Sequence, residues 1–195
     1  SMDLWKAFIK STRNNISNAD EKICFDRFHV AGFFSKAVDK VRKLEHQELL
    51  SIGDKTLSKS KYSWLRNASK LDGRSRKHFM ALTKLNLKTA RAWAIKETAG
   101  KLWDYTNKTW AVKMWKKLIG WMWRSKLKPI VELSKSIRKH FFGILNSVIL
   151  GVNNGRAESI NAKIQKIKKM SCGFRNVERF KKSILFHMGN LDLYP

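Results

Sequence analysis

From about Leu49 to Val148 the sequence offers no convincing strand, and that absence constrains the fold more than any motif does. Side chains that set a pattern recur there in helical steps: Phe79, Leu82 and Leu85; Trp93, Lys96 and Trp103; Trp110, Met114, Trp115 and Leu118. Pro129 opens a further helix near PIVELSKSIRKHFFGIL. Trp93, Trp103, Trp110, Trp115, Trp121 and Trp123 all fall in this stretch. At such spacing they read as packed core rather than as platforms for bases, because helix packing of large aromatics explains the pattern without a ligand. Trp121 and Trp123 stand two positions apart and cannot share a helical face, so one of them is expected to be exposed.

The flanks read differently. Trp5, Phe8 and Ile9 give a short amphipathic helix to about Arg13, and NNISNAD is turn chemistry. EKICFD, rich in β-branched and aromatic residues, is the best strand candidate and ends at Asp26. From Val30 a helix follows, with Phe34, Ala37, Val38, Val41 and Leu44 on one face. SIGDKTLSKSKY is a polar connection. After the loop Asn153-Asn154-Gly155, a helix from about Arg156 carries a narrow stripe of Ile160, Ile164 and Ile167, with Glu158, Asn161 and Gln165 away from it. SCGFRN breaks that helix at Gly173, and a last amphipathic helix runs through Val177, Phe180, Ile184 and Leu185. The fold class expected is mainly α with a small α/β part.

Charge narrows the partners. The 41 Lys and Arg against 15 Asp and Glu leave a formal +26, a self-repulsion that calls for a polyanion. A membrane fits less well: the longest nearly apolar run, FFGILNSVILGV, is interrupted by Asn146 and Ser147 and is shorter than the roughly 20 residues of a span. Cys24 and Cys172 lack metal-type spacing and read as reduced thiols of an intracellular protein, or at most as one chance pair. The opening SMDLW puts an acid beside apolar residues with no capping segment. It reads as a cut through a larger protein, with Ser1-Met2 either foreign residues or the end of a strand.

ICFDRFHV, residues 23–30, sets Asp26, Arg27 and His29 among apolar side chains, and a satisfied salt bridge or a site would each account for them. Three ordered segments favour a site. MDLWKAFI, DRFHV with KAVDKVRK, and NGRAESINAKIQ with CGFRNVERF resemble the DDE transposases of bacterial insertion sequences that carry a D-R-F-H-V motif and a late N-G-x-x-E-x-x-N helix. The resemblance covers about 2–45 and 143–187; the middle resembles the family in length and helical character only.

The resemblance implies a partial ribonuclease H-like core carrying a large helical insertion: 1–45 as part of the core, 46–145 as the insertion, and 146–195 as helices completing the core. It implies that Asp3 is the second catalytic acid and Glu158 the third, both ligands of Mg²⁺ or Mn²⁺, with the first acid on a strand preceding Ser1. Two divalent ions held by carboxylates would stabilise both oxygens of an in-line phosphodiester displacement, and Mg²⁺ suits a site of few carboxylates. Asp26 and His29 would orient ligands or contact the scissile phosphate, or else form a structural pair in the core. Asn161, one turn beyond Glu158, would support the site or the DNA. Arg156, Lys163, Lys168, Lys169 and Arg175 would meet DNA phosphates.

The implied partners are DNA, as transposon ends and target, with a homo-oligomer left open and no membrane. The implied location is the bacterial cytoplasm, at the nucleoid. The other reading is a non-catalytic basic helical nucleic-acid-binding protein. In that case Glu158 is an ordinary acid near a helix N-terminus, and the lysines after it are a solvated face.

Overall fold

The computed structural model of the chain describes residues 1–66, 71, 73–85, 87–152 and 155–189, with only the backbone of Arg156 and Ala157. It divides into two compact units, Ser1–Val152 and Asn153–Pro195.

In the first unit the expected amphipathic helix is α1, Lys6–Asn15, but only Ile9 of its apolar set is buried. Trp5 and Phe8 pack edge to face in the open, with ring centroids 4.7 Å apart. The chain reverses through Asn18 in the left-handed region into α2, Ala19–Lys22, a single turn. The expected strand over EKICFD is therefore corrected. Glu21 and Lys22 are helical, and among the described residues pairing is confined to one parallel bridge between Met2 and Phe25. A four-residue helical turn directly after Asn18 takes the residues that a longer strand would need.

The helix expected from Val30 begins three residues earlier, as α3, Arg27–Ser51. Val30, Phe34, Ala37, Val38 and Val41 are buried as the spacing predicts, whereas Leu44 is half exposed. After α3 come α4 (Lys61–Leu65), α5 (Gly73–Lys84), α6 (Lys88–Lys101), a 3₁₀ turn at Leu102–Asp104, α7 (Lys108–Arg124), α8 (Lys128–Lys139) and α9 (Phe141–Leu150). α3 packs most extensively on α6 and α8, and α7 lies against α8. Pro129 sits in the first turn of α8, where its missing N–H costs nothing.

Side chains from other elements finish several helix ends. Leu87, at the N-cap of α6, has no capping side chain. Glu45 of α3 supplies it: the buried carboxylate accepts from Lys88 N at 2.6 Å, Thr89 N at 2.7 Å and Thr89 Oγ1 at 2.6 Å. Lys96 does the converse at the end of α4, donating from a buried Nζ to the carbonyls of Trp64, Leu65 and Arg66 at 3.1–3.2 Å. Burial pulls the Lys96 ammonium below its ordinary value, and the Glu97 carboxylate at 3.2 Å opposes that pull.

The tryptophans split. Trp64, Phe79 and Trp93 form an edge-to-face cluster, with Trp64–Phe79 centroids at 4.9 Å and Phe79–Trp93 at 5.1 Å. Trp103 packs on the buried Trp115 at 5.6 Å. Trp110, Trp121 and Trp123 are exposed, so the core reading fails for these three, and of the pair 121 and 123 both face out. α7 buries only Ala111, Trp115, Leu118 and Met122, a stripe that leaves no room for the other three on the inner side.

The second unit is a pair of helices, α10 (Gly155–Met170) and α11 (Val177–Met188). α10 ends where the sequence breaks it: Cys172 and Gly173 adopt positive φ, and Gly173 N bonds Lys168 O at 2.9 Å. Asn176 caps α11 by accepting from Glu178 N and Arg179 N. Along the isoleucine stripe burial deepens from exposed Ile160 to buried Ile167. Asn153 and Asn154 of the late motif lie outside the described residues.

Candidate active site

The bridge that replaces the expected strand also organises the site. Met2 N donates to Cys24 O at 2.8 Å, and Asp26 N donates to Met2 O at 3.1 Å. Met2 is thus in register with Phe25, so the next residues, Asp3 and Asp26, leave the C-terminal ends of two adjacent parallel segments. Those ends are where parallel α/β arrangements collect functional groups. His29 stands one turn into α3, and its Nε2 is 2.9 Å from Asp3 Oδ1 and 3.9 Å from Asp26 Oδ2. Asp3, Asp26 and His29 therefore come together, although 23 positions separate the two acids.

Asp26 is the unusual member. It occupies the N-cap position of α3, where an aspartate ordinarily accepts from the first helical N–H groups. Here it makes no side-chain cap bond. Its residue is 3% exposed, and Oδ2 has no hydrogen-bond partner. A buried carboxylate oxygen left in this way is costly, and its compensation must come from a cation or a donor. Asp3 and His29 are half exposed by comparison, with side chains 45% and 42% accessible. Arg27 takes no part: it pairs with Asp104 at 3.1 Å and donates to Gly100 O at 3.2 Å, the satisfied salt bridge that the sequence left open.

What holds the Asp26 segment is α9, and sequence reasoning missed it. Phe25 N donates to Gly143 O at 3.0 Å, and Ser147 Oγ donates to Phe25 O at 2.6 Å. The Asn146 amide lies 2.8–3.1 Å from the carbonyls of Asp20, Glu21 and Ile23, sharing its two N–H groups among them. A helix thus satisfies backbone groups that a neighbouring strand would take in a wider sheet. The signal was present as two polar residues in an apolar run, with a glycine four positions before Ser147. Burial also pushes the Cys24 thiol up, outweighing the opposing effect of Ser147, so this residue is a packing group.

Gly143 is required by close approach. A Cβ there would lie 2.5 Å from Cδ2 and Cε2 of Phe25, whose ring is fully buried. Gly143→Ala is expected to destabilise the first unit by about 1–3 kcal/mol through overpacking. The check is a thermal unfolding midpoint lowered by roughly 2–12 °C at 2–4 °C per kcal/mol; an unchanged midpoint would show that Phe25 does not fix the segment.

In the second unit Glu158 sits in the first turn of α10, exposed, with Asn161 exposed one turn on. Lys163, Lys168 and Lys169 are exposed along α10, and Arg175 is exposed in the turn before α11. The Arg156 side chain lies outside those described. α10 carries Lys163, Lys166, Lys168, Lys169 and Arg156 against the single acid Glu158, so the helix is strongly basic beyond its first turn.

The sequence pattern of a transposase family, the DDE transposases of the ISL3 group, matches residues 1–184. The chain belongs to this family. Two curated relatives of this chain, the transposases for insertion sequence element IS1557 from Mycobacterium tuberculosis strains CDC 1551 and H37Rv, are each 22% identical to it over 178 residues. The matches cover 78% of this chain and 39% of each relative, so the chain spans about two fifths of the length of the curated relatives it matches. No solved structure matches it. No described helix is long and apolar enough to cross a membrane.

Proposed function

We propose that this chain is part of the catalytic region of a bacterial insertion-sequence transposase, in which Asp3 and Glu158 hold divalent metal ions for phosphodiester hydrolysis and strand transfer. The observation that carries the reading is the pairing of Asp3 with Asp26 and His29 at the ends of two parallel segments, with an Asp26 oxygen buried and unpartnered. That donor set fits Mg²⁺ or Mn²⁺, which take carboxylate oxygens and keep the rest of their shell for water and phosphate. Such ions would stabilise the attacking and leaving oxygens of an in-line displacement. His29, with Nε2 2.9 Å from Asp3 Oδ1, would fix the direction that carboxylate offers. Asp26 adds negative charge from a buried, immobile position, either as a further ligand or by orienting the others.

Within this reading, Glu158 on α10 is the third acid of the family pattern and Asn161 its neighbour toward the DNA. Arg156, Lys163, Lys168, Lys169 and Arg175 contact phosphates. The first acid is contributed by a part of the longer protein outside residues 1–195. The helices from 46 to 145 form an insertion into a ribonuclease H-like core, whose remaining parts lie in 1–45 and 146–195. The DNA is the transposon end and the target, handled in the bacterial cytoplasm at the nucleoid.

Residues 1–195 are expected to bind DNA with steep salt dependence, because many of the 41 basic side chains can displace condensed counterions. They are expected to cut or join DNA poorly with Mg²⁺ or Mn²⁺, since one carboxylate of the cage is missing. A protein extended upstream to the length of the relatives should gain strand transfer. The assay is strand transfer of a labelled transposon end into plasmid DNA by both proteins. Robust, metal-dependent joining by residues 1–195 alone would overturn the assignment of Asp3 as the second acid.

A further inference from the structure

The outer face of α7 holds an arrangement that neither the carboxylates nor the core uses. Trp110, Trp121 and Trp123 are 52%, 38% and 56% exposed, although each is large and apolar enough to be costly in water. The helix KTWAVKMWKKLIGWMWR contains no acid. At 100° per residue, Trp110 and Trp121 fall along one edge of the exposed arc and Trp123 along the other. Lys113, Lys116, Lys117 and Arg124, all exposed, lie between these edges. Lys113 Nζ stands 5.0 Å above the Trp110 ring, and Lys135 of α8 stands 5.7 Å above Trp123.

Between α7 and α8 this face deepens into a groove of about 270 Å³. Ile119, Gly120 and Ser134 line it, with Trp123 as an aromatic wall and Arg124, Lys135 and Arg138 as its cations. At Gly120 a Cβ would come within 3.2 Å of the Arg124 guanidinium, so that cation lies close over the helix backbone beside the groove. The one acid of α8, Glu132, is not among the lining residues.

We propose that this α7–α8 face binds an unpaired DNA strand, with bases stacked on the exposed indoles and phosphates on the cations between them. The inference rests on the DNA partner of the reading above but not on its metal site. Indole faces accept any base once it is unstacked from its neighbours, whereas a duplex hides its base faces. A row of four cations without an acid is complementary to a polyanion. A lipid surface fits poorly, because an interfacial helix puts apolar residues at the centre of its exposed face and cations at the margins. Here the cations hold the centre and the tryptophans the margins. A covering protein segment would have to bury those cations and supply the missing acids.

The test titrates residues 1–195, without divalent cation, with a single strand of about 15 mixed nucleotides and with a duplex of equal length. The single strand should quench tryptophan fluorescence, and Trp121→Ala combined with Trp123→Ala should weaken its binding by about tenfold or more. Duplex affinity should change less than about twofold, because duplex bases offer no face to stack. Trp→Phe at both positions should restore most of the single-strand affinity, which a merely structural role would not do. Lys116→Gln with Lys117→Gln should weaken both ligands and flatten the salt dependence. Equal losses for single strand and duplex, no loss for either, or stronger indole burial on vesicles of anionic phospholipid would each overturn the proposal. So would a protein extended upstream in which iodide no longer reaches these tryptophans before DNA is added.

Discussion

In a protein extended upstream, Asp3→Ala or Glu158→Ala should lower strand transfer by about a thousandfold or more while DNA affinity changes little. The size follows from the chemistry assigned to the carboxylates. Charge stabilisation of a phosphoryl transition state by bound metal is worth several kcal/mol, and each 1.36 kcal/mol is a factor of ten in rate. Affinity should survive because phosphate contacts are spread over many cations, and the removal of one acid from a basic surface does not weaken them. Asp26→Asn distinguishes the two roles left to that residue. If Asp26 is a ligand, its loss should match that of Asp3; if it orients Asp3 and His29, the loss should be smaller, about ten- to a hundredfold. Strand transfer and filter binding on the same preparations measure both effects. An Asp3→Ala protein that retained near-native strand transfer would remove Asp3 from the site.

The largest effect on stability is expected at Glu45. Its carboxylate accepts three short hydrogen bonds at the buried start of α6, and Leu87 at the cap offers none. Glu45→Ala would leave Lys88 N, Thr89 N and Thr89 Oγ1 without those partners and open a gap beside α3. Hydrogen bonds to a charged acceptor contribute about 1.5–3 kcal/mol, and buried donors left unpaired add a desolvation cost, so a loss of about 3–4 kcal/mol is expected. At 2–4 °C per kcal/mol, that lowers the unfolding midpoint by roughly 6–16 °C. Glu45→Gln should fall between, because it keeps one oxygen but loses the charge. Calorimetry or thermal circular dichroism decides; a change within 2 °C for Glu45→Ala would mean that α6 is capped by other means.

How much of this was legible in the sequence depends on the range of the interaction. Helices with a full apolar face were readable, since Val30, Phe34, Val38 and Val41 declare α3 through local spacing alone. The break at Gly173 and the start at Pro129 were readable for the same reason. The pairing of Met2 with Phe25 was not: one bridge has no alternation to detect, and helix α2 occupies the residues a longer strand would have used. Glu45 looked like any acid on a long helix, because its partners lie 43 and 44 positions away. Asn146 and Ser147 stood out only as polar interruptions, and their purpose became visible once the carbonyls of residues 20 to 25 were in place beside them. The exposed tryptophans of α7 failed for another reason. Helical spacing records that residues share a helix, and on α7 one narrow stripe fills the available core.

The same limit applied to the site. Asp3 and Asp26 were singled out by the motifs around them, but their shared register and the unused capping oxygen of Asp26 are three-dimensional facts. The proposed roles of Asp3 and Glu158 depend on a further step, that one metal site draws on both. Localised hydroxyl-radical cleavage tests it most directly. Fe²⁺ replaces Mg²⁺ in the protein extended upstream, ascorbate and peroxide are added, and the cut positions are read by mass spectrometry. The account predicts backbone cuts clustered near Asp3, near Asp26 to His29 and near Glu158, all suppressed together by excess Mg²⁺ and lost together in Asp3→Ala. Cuts near Asp3 that persist while none occur near Glu158, or cuts at the two places that respond independently to Mg²⁺, would contradict it.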